Sequence, residues 1–90
     1  MNKEELVTAV AEKTNNTRKT TEAILSAFTD TIGEALAKDE KVTLVGFGTF
    51  QVKERSAREG RNPRTGEVLQ IPAKKTPTFL PGKGLKDRIE

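Results

Sequence analysis

Arg58, Arg61 and Arg64 fall within seven residues of one another in "REGRNPRTGE", around Asn62 and Pro63. Guanidinium groups at this density suit phosphate, which they grip through forked, charge-assisted hydrogen bonds. Other chemistry is hard to assemble. The 90-residue chain has no His, Cys, Tyr or Trp, so the common nucleophile–base pairs and most metal-ligand sets are out of reach. Its carboxylates are spread along helix surfaces, and "GFGTF" lacks both the Lys-Ser/Thr ending and the following helix of a phosphate-cradling loop. No catalytic residue, metal ligand, cofactor or small-molecule substrate is assigned, and the chain reads as a non-enzyme.

Charge is distributed unevenly. Residues 1–40 carry five Lys/Arg and eight Asp/Glu, whereas residues 41–90 carry eleven and five, so an acidic half precedes a basic one. That asymmetry points to a polyanionic partner for the second half. The basic residues include Lys53, Arg55, Lys74 and Lys75 beside the three arginines. Pro63 taken alone is a turn former, and its neighbours, three arginines and an asparagine, shift the balance toward a ligand contact.

These residues need a scaffold. Asn2 reads as the N-cap of a first helix, with Glu5 three positions on, a Met1–Leu6 staple, and Leu6, Val7, Val10 and Ala11 at helical spacing through Lys13. "TNNT" interrupts, and Thr17 caps a second helix to about Lys38 with an apolar stripe of Ala23, Ile24, Ala27, Phe28, Ile32, Ala35 and Leu36. The short connection predicts an antiparallel or angled helix pair, and Gly33 predicts a close backbone crossing. From Val42 the period changes to that of strands. "GFG" turns the chain into a second strand that runs through Phe50, Val52, Lys53, Arg55, Ala57 and Glu59 without a breaker. "NPRTG" reverses it, with Gly66 free to take positive φ. Val68–Ile71 returns, Pro72 and Pro77 imply edges and bends, and Pro81 or Gly82 opens a short final helix through Ile89.

The prediction is an α+β fold: a helical base with a three-stranded antiparallel sheet extended into a β-ribbon arm. One domain covers 1–90, with 1–52 and 76–90 as a dimerisation body and 53–75 as the arm. Ten residues per strand give an arm of about 30 Å. An isolated ribbon of this kind is marginal in water. Only 33% of the residues are hydrophobic, so the remaining body is short of core and association is the expected remedy. Phe47, Phe50 and Phe79 sit among apolar and glycine neighbours, which favours core packing across a subunit interface over base stacking. Strict alternation puts Lys53, Arg55 and Arg61 on one face and Arg58 on the other. Leu69, Ile71 and Ala73 form an apolar stripe suited to a groove floor. Alternation alone leaves open which face meets a ligand. No segment reads as a signal peptide or membrane span, and the chain is expected in the cytoplasm.

"VTLVGFGTFQVKERSAREGRNPRTGE" and "IPAKKTPTFLPGKGLKDRI" together resemble the HU and integration host factor family of bacterial histone-like proteins, and the similarity starts at "MNKEELVTAVAEK". The resemblance implies an intertwined homodimer whose two arms wrap double-stranded DNA on the bacterial nucleoid, bending and compacting it with little sequence preference. It also implies that Pro63 wedges between base pairs, with Arg55, Arg58, Arg61 and Arg64 near phosphates and minor-groove edges. Bent DNA then reaches Lys3, Lys83 and Lys86. By width alone the major groove admits a β-ribbon more readily; the resemblance selects the minor groove, opened by bending. Two alternatives stand beside this reading: a subunit of a sequence-specific heterodimer, and an RNA-binding component.

Overall fold

The computed structural model describes residues 1–90. Eight elements follow in order: α1 (Lys3–Thr14), α2 (Arg18–Ala37), β1 (Val42–Leu44), β2 (Gly48–Arg55), β3 (Arg58–Arg61), β4 (Val68–Ile71), β5 (Lys74–Pro81) and α3 (Lys83–Ile89). They fall into two compact units, Met1–Glu34 and Ala35–Glu90. The architecture is α+β with antiparallel strands, and no helix is long and apolar enough to cross a membrane.

In the first unit, local chemistry sets the helix ends. The Asn2 side chain accepts the Glu5 N–H at 2.9 Å, and Thr17 Oγ1 accepts the Thr20 N–H at 3.1 Å, so both predicted caps are present. Glu4 and Glu5 in the first turn and Lys13 in the last complement the α1 dipole. The helix ends in a Schellman motif, with Asn15 left-handed at φ 57° and Asn16 N–H bonded to the Ala11 carbonyl at 3.0 Å. Lys3 Nζ donates to Ser26 Oγ at 3.2 Å, placing the start of α1 beside the middle of α2, as an antiparallel pair requires.

The helix pair buries little. Val7 and Ala11 are the buried apolar side chains, and Thr21 is buried with its hydroxyl bonded to the Thr17 carbonyl at 2.9 Å. The apolar stripe on α2 exists but stays open, with Ile24 61% and Phe28 44% exposed. Two expectations are corrected. Met1 is 87% exposed, so the staple with Leu6 does not close; both residues border an open depression instead. A Cβ on Gly33 would meet nothing within 4 Å outside its own helix, so α1 does not make the close crossing.

In the second unit, β1, β2 and β5 form an antiparallel sheet with β2 central, and β3 pairs with β4 as a separate ribbon. Pro77 therefore lies in an edge strand, as its missing N–H demands. The second strand, expected to run unbroken through Glu59, is instead interrupted at Ser56–Ala57, and the return strand at Pro72–Ala73. Arg55↔Lys74 below the gap and Arg58↔Ile71 above it keep the same pairing offset, so no bulge is inserted. At that offset Pro72 stands opposite Ala57 and has no N–H to give the ladder.

The base of this unit is tied together by glycine-dependent contacts. The Phe47 and Gly46 carbonyls of the β1–β2 turn accept the N–H groups of Gly82 (2.8 Å) and Leu85 (3.1 Å). The turn thus satisfies donors that α3 leaves open, since Gly82 offers no capping side chain. A Cβ on Gly84 would stand 2.5 Å from the Gly46 carbonyl oxygen. Phe79 centres an aromatic cluster, 5.5 Å from Phe47 and 4.8 Å from Phe50 by ring centroids. Packing together is what their apolar neighbourhood predicts, yet Phe79 remains 37% and Phe47 45% exposed.

Candidate nucleic-acid interface

The arm tip is a loop of four residues, Pro63 to Gly66, built by its own side chains. The Asn62 N–H bonds to the Glu67 carbonyl at 2.9 Å, and the Asn62 carbonyl accepts the Gly66 N–H at 2.8 Å. Asn62 Oδ1 accepts the Arg64 N–H at 2.9 Å, and Thr65 Oγ1 accepts the Glu67 N–H at 3.3 Å. Gly66 takes φ 73°, which a side chain would resist. Pro63 occupies the place where no donor is needed, and its ring is exposed at the apex between Arg61 and Arg64. Asn62 is thus a turn builder through Oδ1, leaving its amide NH₂ for a ligand.

Cross-strand pairing settles which side chains share a face, because directly opposed residues project to the same side. Lys53↔Thr76 and Arg55↔Lys74 lie on one face of the arm root, and Glu59↔Gln70 and Arg61↔Val68 continue it toward the tip. Glu54↔Lys75 lies on the other face, followed by Arg58↔Ile71 and Gly60↔Leu69. The predicted separation of Arg58 from Lys53, Arg55 and Arg61 is therefore present. Leu69 and Ile71 share the face of Arg58, 46% and 38% exposed. Ile71 leans over Gly60, where an added Cβ would meet its Cδ1 at 3.0 Å.

The two faces differ electrostatically. Arg55 and Lys74 are like charges placed directly opposite each other, an arrangement that destabilises a free ribbon and that an anion between them relieves. On the other face Lys75 Nζ donates to Asp39 Oδ2 at 2.9 Å, the one ion pair in the chain. The Asp39 hydrogen bond and charge, with a smaller contribution from Glu54, hold the Lys75 ammonium above its ordinary pKa. Lys75 is thus not one of the free cations its sequence neighbourhood predicts, and Asp39, which no motif marks, is its partner. The available signal was an aspartate just past a helix end, where glycine is usual.

Lys83 and Lys86 are exposed on α3, and Lys3 is exposed on α1 with its ammonium at Ser26. No three His, Cys, Asp or Glu side chains come together in a metal-binding group.

A family model described as "Bacterial DNA-binding protein" matches residues 1–90. The DNA-binding protein HU of Clostridium pasteurianum is 56% identical over 89 residues, covering 99% of this chain and 98% of that protein. The HU of Geobacillus stearothermophilus is 53% identical over 90 residues, with both chains fully covered. Among solved structures, an Anabaena HU–DNA cocrystal structure is similar at TM-score 0.86 and 53% identity, covering 99% of this chain and 97% of that one. HU from Thermotoga maritima matches at TM-score 0.71 and 37% identity over the full length of both. With the helical base, the paired strands and the arginine-tipped arm all matched from end to end, the chain belongs to the family of bacterial DNA-binding proteins.

Proposed function

We propose that this protein is an architectural component of the bacterial nucleoid, a homodimer that binds double-stranded DNA with little sequence preference and bends it. The observation that carries the reading is the arm. Lys53, Arg55, Lys74 and Arg61 occupy one face without an acidic partner within ion-pair distance, and the exposed proline tip lies between Arg61 and Arg64. Cations on both flanks of an extended ribbon follow phosphate rows and carry no base code. The relatives are named for DNA binding, and the Anabaena structure contains DNA.

A second copy answers the thin core. Thirteen large apolar side chains are exposed while only Val7 and Ala11 are buried. The Phe47–Phe50–Phe79 cluster and the open α2 stripe are the surfaces a partner chain would cover, so 1–52 and 76–90 form the dimer body and 53–75 the DNA-binding arm. The role is architectural rather than catalytic, and the site of action is the cytoplasm.

Pro63 is the wedge. Rigid, apolar and lacking an N–H, it enters a base stack without burying an unsatisfied donor. Opening a step costs a few kcal/mol. Arg58, Arg61, Arg64 and the Asn62 amide hold the backbone and minor-groove edges beside it, and the bend brings the duplex to Lys3, Lys83 and Lys86. The test is end-to-end fluorescence transfer on a short labelled duplex at confirmed saturation. Pro63→Ala keeps the charge and reduces the bend; an unchanged bend overturns the wedge and leaves Pro63 a turn former.

A further inference from the structure

We propose that Asp39 is a positioning residue that anchors the arm root through Lys75, and that Lys75, unlike its neighbour Lys74, is not a phosphate ligand. The inference rests on the DNA-binding reading above. Asp39 is a poor choice for its local setting. It is the left-handed residue closing α2, at φ 59°, in a Schellman motif formed by Asp39 N–H to the Leu36 carbonyl (3.0 Å) and Glu40 N–H to the Ala35 carbonyl (2.9 Å). Glycine takes that conformation without strain, and a carboxylate at a helix C-terminus opposes the dipole. What the aspartate does instead is reach across 36 residues of sequence to Lys75 at 2.9 Å.

That contact has a side. Lys75 pairs with Glu54 on one face of the ribbon, while Lys74 pairs with Arg55 on the other. The first face is charge-compensated at the root by Asp39 and Glu54; on the second, Lys53, Arg55 and Lys74 face no carboxylate at the root, where the next one, Glu59, stands four residues beyond Arg55 and makes no ion pair. The arm root therefore offers phosphate one face only. The opposite face is fastened to the end of α2, which fixes the direction in which the ribbon leaves the sheet. Both partners are more than half exposed, so the pair contributes through geometry more than through stability.

The experiment compares two adjacent lysines. Salt dependence of binding to an intact duplex is measured for the wild type, Lys74→Ala, Lys75→Ala, Asp39→Asn and Asp39→Gly, the last improving the helix end so that misfolding is not at issue. Lys74→Ala should flatten the slope of log K against log salt by about 0.9 per engaged chain. Between 50 and 200 mM salt that is about a 3.5-fold change in the ratio of affinities. Lys75→Ala and both Asp39 variants should leave the slope unaltered while weakening binding about two-fold, and Asp39→Asn combined with Lys75→Ala should be no weaker than either alone. A slope flattened equally by Lys75→Ala, or tighter binding by Asp39→Asn, overturns the proposal by making Lys75 a ligand that Asp39 restrains. Unchanged affinity in all three anchor variants overturns the anchor. If the wild type binds and neither lysine moves the slope, the one-sided seat is wrong while DNA binding stands; a wild type that binds no duplex overturns both.

Discussion

Replacing Phe79 by alanine tests whether the aromatic cluster is half of an interface. A fully buried Phe→Ala change costs about 3–5 kcal/mol. Phe79 is 37% exposed, so the contacts inside one chain account for only part of that, about 2–3 kcal/mol. Its two ring contacts, to Phe47 at 5.5 Å and Phe50 at 4.8 Å, are included in that figure. If a second copy covers the remaining surface, the full cost applies to each chain, about 6–10 kcal/mol per dimer. That is comparable with the whole stability of a small protein, about 5–15 kcal/mol. The assay is thermal melting at protein concentrations a hundred-fold apart, with sedimentation at the same concentrations. The wild type should melt higher when more concentrated and sediment as a dimer at low micromolar concentration. Phe79→Ala should dissociate or unfold there. A wild type whose melting point ignores concentration, with a Phe79→Ala loss near 2 kcal/mol, would refute the interface.

Arg58→Ala and Arg61→Ala should each weaken binding on unrelated duplexes alike and flatten the salt slope by about 0.9 per engaged chain; a changed base preference at constant slope would contradict a backbone role. Gly84→Ala should destabilise the chain by about 1–3 kcal/mol in urea titration, because the new Cβ would stand 2.5 Å from the Gly46 carbonyl oxygen; a change within experimental error would contradict that close approach. Gly66→Ala meets no steric neighbour but must hold φ 73°. Its cost of about 1 kcal/mol should appear as faster amide exchange at Arg64, Gly66 and Glu67, with melting unchanged, and equal exchange would show that the tip does not depend on the left-handed glycine.

Much of this molecule is legible from its sequence because much of it is local. Asn2 and Thr17 cap their helices through bonds spanning three residues. Asn62, Thr65 and Gly66 build the tip over six residues, from Asn62 to Glu67, and the arginines stand beside it whatever the rest of the chain does. Such features depend on side-chain chemistry within reach of a few backbone bonds, so residue type and spacing decide them. The tertiary structure decided the rest. Ser56–Ala57 contains no breaker, and the ribbon opens there only because the register sets Pro72 opposite. Lys74 and Lys75 are indistinguishable as neighbours in sequence, but pairing turns one toward Arg55 and the other toward Glu54, within reach of Asp39. The α3 donors have no side-chain cap and find the Gly46 and Phe47 carbonyls instead. Each of these depends on which distant backbone lies alongside, a property set by strand register and packing that no short window of sequence contains.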